Sequence, residues 1–478
     1  MNFHMIKSSS IINIVLIFSL IIGIILRLYN INYDNLWIDE MATFWVTDPS
    51  ITFHEMLKRH EASELAPQFY YIIIYFIHKI FGYDPQIGRY FSSLIGILSI
   101  FSFGYLVRVI KSNGSHKLGI ILLSLNVFLI SYSMEMRVYM LIFFISSISL
   151  ISVFQYFNIK KFYWLLIFFV TQSLAAFTHP FSIIVYISTL CLVLYEYLIK
   201  GQIYKNLNYC LIFTGISISI ITIGYYLNLE ITDDYIWNSQ PDINFYTNFY
   251  FSQYFGSRLL GVFYLIVLLY LILIFRNYIF KQHKKLLLLL ILLFLSYFLP
   301  LTYGIYKPII TSKYIIFVLI PIISIISVLI YELKNKLIKN ILILSLIILT
   351  IGNQFTEQNL KQFFESRKYY KPQYDLALKY INVSNYKNFY VDLNFAKTEN
   401  LKRNYLLIYK NYLEFMSKKN NYNEIQYFQK NQNYNSSEVW ILCSYLVYGD
   451  NCKKTLLSKT ILEEKQFQNL YLTLVTID

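Results

Sequence analysis

The chain has 478 residues, 56% of them hydrophobic and only 14% charged, with a mean hydropathy of +0.48 and a net charge of +14. Soluble domains carry about 25% charged residues, so this balance excludes a globular protein bathed in water along most of its length and describes a polytopic α-helical membrane protein. Nucleic acid is excluded as a partner as well, because the lysines collect in short loops between apolar runs, which is the pattern that sets membrane topology.

Apolar runs of spanning length fall at 10–28, 90–108, 118–133, 138–157, 162–179, 181–199, 208–228, 259–275, 285–303, 314–331 and 338–352. They predict about eleven transmembrane helices, each near the ~20 residues a bilayer requires. The first has no small-residue cleavage site and reads as a retained signal anchor. Residues 67–80 are apolar but short, which predicts a helix lying at the membrane face within the first long loop rather than a span. With the N-terminus in the cytoplasm, Arg108, Lys111, Lys117, Lys160, Lys161, Lys200, Lys205, Lys284, Lys285, Lys334 and Lys336 all fall in cytoplasmic loops. Asp34, Asp39, Glu40, Glu61, Glu64 and Glu135 then fall on the other side. Lysine and arginine carry the orientation rule. The expectation is a multi-pass protein of the inner (plasma) membrane whose acidic loops face outward.

After Gly352 the sequence turns rich in Asn, Tyr, Lys and Gln. The division is a transmembrane domain at 1–352 and a small extracytoplasmic mixed α/β domain at 353–478, with strands at 439–442 and 471–475. Cys191 and Cys210 read as small packing residues. Cys443 and Cys452 could pair if that domain is outside the cytoplasm.

Four outward points collect residues able to do chemistry. Asp39 and Glu40 follow Trp37 in the first loop. Neighbours on a helix point about 100° apart, so the two carboxylates need different roles. Helix capping is the alternative. Glu135 and Arg137 sit in a tight turn at the membrane edge, as functional charges or as a local pair. His179 precedes Pro180, as a structural residue, a titrating group or a metal ligand. Lys313, with Lys307 nearby, begins a late span, either snorkelling or meeting an anionic head group.

The order of Leu36-Trp37-Ile38-Asp39-Glu40, Ala66-Pro67-Gln68-Phe69-Tyr70-Tyr71, Gly88-Arg89-Tyr90, Tyr132 to Tyr139, Thr178-His179 and Lys313-Tyr314 resembles the GT-C class of membrane glycosyltransferases. Within it, the sequence is similar to bacterial family 39-like enzymes related to protein O-mannosyltransferases and lipid A aminoarabinose transferases, over roughly residues 10–350. The resemblance implies an inverting transfer of a sugar from a polyprenyl-phosphate-linked donor at the membrane lipid surface to a protein, lipid or cell-envelope glycan acceptor. It implies Asp39 as general base, with Glu40 orienting the acceptor or bracing the loop. Lys313 would bind the donor phosphate, with Arg89 and Arg137 as weaker candidates. Glu135 and His179 match an acid and a histidine that lie near a divalent metal in some relatives, and Trp37 would anchor the loop at the interface. The sequence departs from the family at Ala66, where relatives have proline, at Met134, where they have a polar residue, and at Lys313, where many have arginine. A transporter of polyprenyl-linked sugars and a non-catalytic scaffold are the readings of a different class. The charges at the outer edge, the lack of a repeat and the presence of Asp39 speak against them.

Overall fold

The computed structural model describes residues 8–32, 34–226, 251–306, 311–355, 371–392, 399–422, 426–427, 438–444 and 460–476. In chain order the first helices are α1 (Ser8–Leu28), α2 (Ile38–Val46), α3 (Phe53–Ser63), α4 (Phe69–Phe81), α5 (Pro85–Ile110), α6 (Ser115–Ser124), α7 (Val127–Ser133), α8 (Tyr139–Ile159), α9 (Tyr163–Ala176), α10 (Ile183–Lys200) and α11 (Lys205–Tyr226). Later helices cover Arg258–Asn277, Lys284–Tyr306, Leu319–Glu332 and Lys336–Gly352.

A helix stands at each of the eleven expected positions. Among the described residues nine are long and apolar enough to cross a membrane. Two of the expected spans differ. The run at 118–133 is two helices, α6 and α7, bent by 59° at a break. The bend needs no proline: Asn126 accepts from Leu129 N (2.9 Å) as the cap of α7 and donates to Tyr254 O (2.9 Å), so a new helix starts before the old one can continue. The buried Arg27 of α1 donates to Ser124 O (2.8 Å) and so satisfies a carbonyl at the end of α6. The run at 162–179 forms only the 14 residues of α9, because its last part turns toward His179. Large apolar side chains such as Ile14, Phe18, Leu98, Ile212, Ile266 and Leu344 are exposed along the spans, as a lipid-facing surface requires.

The first loop forms α2, α3 and α4, and α4 has 13 residues, too few for a span. Thr52 caps α3 through Glu55 N (3.2 Å) and Asp84 caps α5 through Gln86 N (2.9 Å), so short polar residues divide the loop into separate helices.

The C-terminal part holds the helices Tyr374–Val383 and Glu399–Lys419 and the strands β1 (Asn388–Val391), β2 (Gln426–Tyr427), β3 (Glu438–Ser444), β4 (Ile461–Phe467) and β5 (Leu470–Thr476). They form one sheet in the order β2-β1-β3-β5-β4, parallel at β1–β2 and β1–β3 and antiparallel from β3 onward. The two predicted strands, at 439–442 and 471–475, are the paired centre of this sheet. Cys443 on β3 is disulfide-bonded; its expected partner Cys452, like Lys307, lies outside the described residues. This unit is not a loose appendage. Phe415 packs edge-on to Phe44 of α2 at 5.1 Å, which itself stacks on Tyr83 at 3.9 Å. Tyr412 Oη accepts from Leu36 N (3.0 Å), and Asn404 donates to Ala62 O (2.9 Å).

Close helix packing sets a testable limit. A Cβ at Gly96 on α5 would lie 2.3 Å from Ser133 Oγ, whereas one at Gly352 meets nothing within 4 Å. Gly96→Val is expected to destabilise the protein by about 1–3 kcal/mol through overpacking, seen as a lower melting temperature in detergent, with Gly352→Ala neutral as the control.

Candidate active site

The two neighbouring carboxylates of α2 do face different surroundings. Glu40 is fully buried. Arg89 of α5 grips it with both ends of its fork, Nε to Oε1 and Nη2 to Oε2, each at 2.9 Å. Met136 N also donates to Oε1 (3.0 Å), and Lys371 Nζ donates to Oε2 (3.0 Å). Burial alone would raise the Glu40 pKa, but Arg89 and then Lys371 outweigh it and hold the group far below the usual carboxylate range. Glu40 is therefore a buried anion held by Arg89, Met136 N and Lys371.

One residue earlier, Asp39 keeps 31% of its side chain open. Its Oδ2 accepts from Lys313 Nζ at 2.9 Å. Burial raises the Asp39 pKa, and Lys313 followed by Arg137 outweighs that effect, so Asp39 stays ionised below the ordinary aspartate range. Lys313 stands on a short 3-10 stretch, Ser312–Val318, that opens the penultimate span. Tyr254 Oη holds that stretch through Ser312 O at 2.8 Å. The Lys313 ammonium lies 4.2 Å from the Trp37 ring, with Tyr139 at 5.5 Å and Tyr314 at 5.8 Å. These distances suit cation–π contact. Trp37, predicted as an interface anchor, is half-buried and forms the floor under this cation.

Arg137 and Arg89, both candidates for a phosphate, bond to protein groups in this structure. Arg137 donates to Glu64 through Nη1 (2.6 Å) and Nη2 (3.2 Å), and to Asp39 O and Thr43 Oγ1 at 2.8 Å each. Arg89, besides Glu40, donates to Ile31 O (3.1 Å), Asp34 O (2.8 Å) and Asn35 O (3.4 Å). Both arginines tie loops together through these bonds, while Arg137 Nε is buried with no hydrogen-bond partner among the described residues. The local Glu135–Arg137 pair does not form between side chains: Glu135 Oε1 faces Lys371 Nζ at 3.4 Å instead.

His179 is buried and caps a 3-10 turn, its Nδ1 accepting from Phe181 N at 3.3 Å while its ring lies 5.0 Å from that of Tyr314. Burial first, then Arg137 and Lys313, lower its pKa to about 3, so the imidazole is neutral. Glu135 and His179 thus turn to different partners. Among the described residues no three His, Cys, Asp or Glu gather in metal-ligand geometry. Asp39 and Glu40 each have an ammonium within 3.0 Å, and Glu135 has one at 3.4 Å. The residues present do not fit a divalent ion.

Two members of the site were missed. Glu64 stood among the loop acids with no sign that it would meet Arg137. Lys371 enters from the C-terminal unit, 331 residues beyond Glu40, and has only Pro372 beside it as a local signal.

No family model and no curated protein matches the chain. Solved structures do. The ArnT from Cupriavidus metallidurans in the apo state superposes with a TM-score of 0.58 at 10% identity, covering 96% of this chain and 97% of that one. The same protein bound to undecaprenyl phosphate gives 0.55 at 10% identity with the same coverage. The Archaeoglobus fulgidus oligosaccharyltransferase in complex with Zn and sulfate gives 0.54 at 11% identity, covering 90% of this chain and 68% of that one. The fold is that of the GT-C glycosyltransferases, in a multi-pass membrane protein.

The Arg89–Glu40 pair sets a second measurable limit. Arg89→Met leaves a buried anion with one fewer cation and should destabilise by about 3–5 kcal/mol. Because the folded Glu40 pKa is depressed, its stabilising contribution is complete above the unfolded carboxyl value of about 4.3 and is lost as pH falls below it. Thermal melts in detergent from pH 7 downward should hold level with respect to this group and then drop under about pH 4.3, with a shallower drop in Glu40→Gln.

Proposed function

We propose that this chain is an inverting glycosyltransferase that moves a sugar from a polyprenyl-phosphate-linked donor to a hydroxyl acceptor, with Asp39 as general base. The observation that carries the reading is the Asp39–Lys313 pair: an accessible, ionised carboxylate held 2.9 Å from a cation at the start of a membrane span. One group accepts a proton and the other can receive a lipid phosphate. The similar ArnT structure is one bound to undecaprenyl phosphate, which agrees with a donor of that class.

In the transfer, the acceptor oxygen attacks the sugar C1, its proton passes to Asp39, and the bond from C1 to the phosphate oxygen breaks. The leaving lipid phosphate gains charge, and Lys313 is a cation able to meet it because, among the described residues, it pairs with one carboxylate alone. Lysine is a point charge on a flexible stem and gives no bidentate grip, so it can follow the phosphate as the bond lengthens. Arg89, Glu40, Arg137 and Glu64 hold the loop that carries Asp39. Tyr70 and Tyr71 on α4 are buried with their rings edge to face, and Tyr70 Oη bonds Ser92 Oγ of α5 at 2.9 Å. No step is routed through a metal. The acceptor lies among proteins, lipids and cell-envelope glycans. On this reading the site and the C-terminal unit face the extracytoplasmic side of the plasma membrane.

Asp39→Asn should reduce transfer from a polyprenyl-phosphate sugar by about 10²–10⁴-fold with the fold retained, measured with radiolabelled donor in membranes. Transfer at the native rate would remove Asp39 from the role. Lys58 is exposed on α3, so Lys58→Cys should react with an impermeant maleimide added outside intact cells. Labelling only after the cytoplasmic face is opened would reverse the orientation.

A further inference from the structure

Lys371 is buried, and three carboxylates from three separate segments surround it: Glu40 Oε2 of α2 at 3.0 Å, Glu135 Oε1 of the turn between α7 and α8 at 3.4 Å, and Asp34 Oδ2 of the loop before α2 at 3.7 Å. We propose that Lys371, reaching in from the C-terminal unit, holds the place a divalent cation would take in this carboxylate cluster, so that the loop bearing Asp39 is assembled without a metal. This inference takes its purpose from the glycosyl-transfer reading.

An ammonium has three donors and meets oxygen near 3 Å, whereas a protein-bound divalent ion needs oxygens at about 2.0–2.6 Å. Glu40 stands at the hydrogen-bond distance of the ammonium, 3.0 Å, and Glu135 and Asp34 stand at ion-pair distances of 3.4 and 3.7 Å, all longer than a metal–oxygen bond. Among the described residues, Asp34, Glu40 and Glu135 bring three carboxylates to this buried cluster, and Arg89 and Lys371 are the cations bonded to them. Such an anionic surrounding can take an ammonium or a divalent ion. Both together would set like charges a few ångströms apart in a low-dielectric pocket, which excludes joint occupancy. Glu135 Oε2 is buried with no hydrogen-bond partner among the described residues, so this carboxylate has unused capacity toward a cation.

Asn35 Nδ2 donates to Pro372 O at 3.3 Å and to Asp375 Oδ1 at 2.6 Å, and Leu36 N donates to Tyr412 Oη at 3.0 Å. The residues just before Asp39 are therefore bonded to the residues just after Lys371. The loop before α2 and the chain after Lys371 are thereby tied together, and the C-terminal unit becomes part of the site. Lys371 is a positioning residue: it acts on Asp39 through Glu40 and the loop, and its ammonium lies 5.9 Å from the centroid of the Trp37 ring that Lys313 also meets.

The experiment uses the full chain purified in detergent and stripped with EDTA, with Mn²⁺ as the probe, read by electron paramagnetic resonance without any sugar donor. The native chain should show no saturable Mn²⁺ binding, and its sugar transfer in membranes should survive EDTA. Lys371→Ala should lose transfer and gain a saturable Mn²⁺ site, which the further change Glu135→Gln should weaken. Lys371→Arg should bind no Mn²⁺. Where Lys371→Ala fails to fold, Lys371→Met keeps the stem without the charge and serves the same arm. Saturable Mn²⁺ binding by the native chain, loss of its transfer in EDTA with recovery on adding Mn²⁺, or a folded Lys371→Ala that gains no Mn²⁺ would each overturn the proposal. Because the binding arm needs no donor, a chain that behaves as expected toward Mn²⁺ yet transfers no sugar would refute the glycosyl-transfer reading alone.

Discussion

The buried contact between Arg89 and Glu40 organises everything around it. One guanidinium reaches the carboxylate of α2 and three backbone carbonyls of the preceding loop, while the carboxylate also takes Met136 N and Lys371. Four parts of the chain meet there: the loop before α2, the start of α5, the turn between α7 and α8, and the entrance to the C-terminal unit. Such a pair is weak evidence for stability, because taking both charges out of water offsets most of their attraction. Its value is geometric. Removing any one partner leaves a charge uncompensated, so the arrangement has few alternatives of similar energy.

The fixed Glu40 explains why Asp39 can remain open. On the glycosyl-transfer reading, a carboxylate that accepts a proton cannot be saturated by donors, yet it has to be held within a narrow range of positions. The chain divides the two demands between adjacent residues, since the 100° turn between neighbours on α2 sends Glu40 inward and leaves Asp39 partly exposed. Arg137 repeats the division on the other flank: it takes the Asp39 carbonyl and leaves the Asp39 carboxylate to Lys313.

Much of this was legible in the sequence. The helix positions follow from long apolar runs, and the central strands of the sheet from alternation in short β-prone segments, because both signals are local. The pairing of charges is not local. Arg89 and Arg137 look like phosphate ligands in a one-dimensional reading, since an unpaired arginine at a membrane edge demands an anion; their anions, Glu40 and Glu64, lie 49 and 73 residues away. Lys371 lies in a polar segment where lysine needs no explanation, so nothing marked it. The bend at Asn126 was equally hidden, because a helix broken by a capping residue keeps the same apolar composition as one that continues.

The position of Lys313 has a consequence for the order of events on the glycosyl-transfer reading. In an inverting displacement the acceptor and the leaving phosphate lie on opposite sides of the sugar carbon, so the base and the phosphate ligand cannot share one contact. Lys313 is 2.9 Å from Asp39 in the donor-free chain and must exchange that carboxylate for the phosphate. Three aromatic rings within 6 Å, those of Trp37, Tyr139 and Tyr314, provide a surface along which an ammonium can move without losing all of its stabilisation. When Lys313 leaves, the largest influence that lowers the Asp39 pKa leaves with it. The carboxylate becomes a better base at the moment a donor arrives, and an arginine at this position, forked and less mobile, would make that exchange harder.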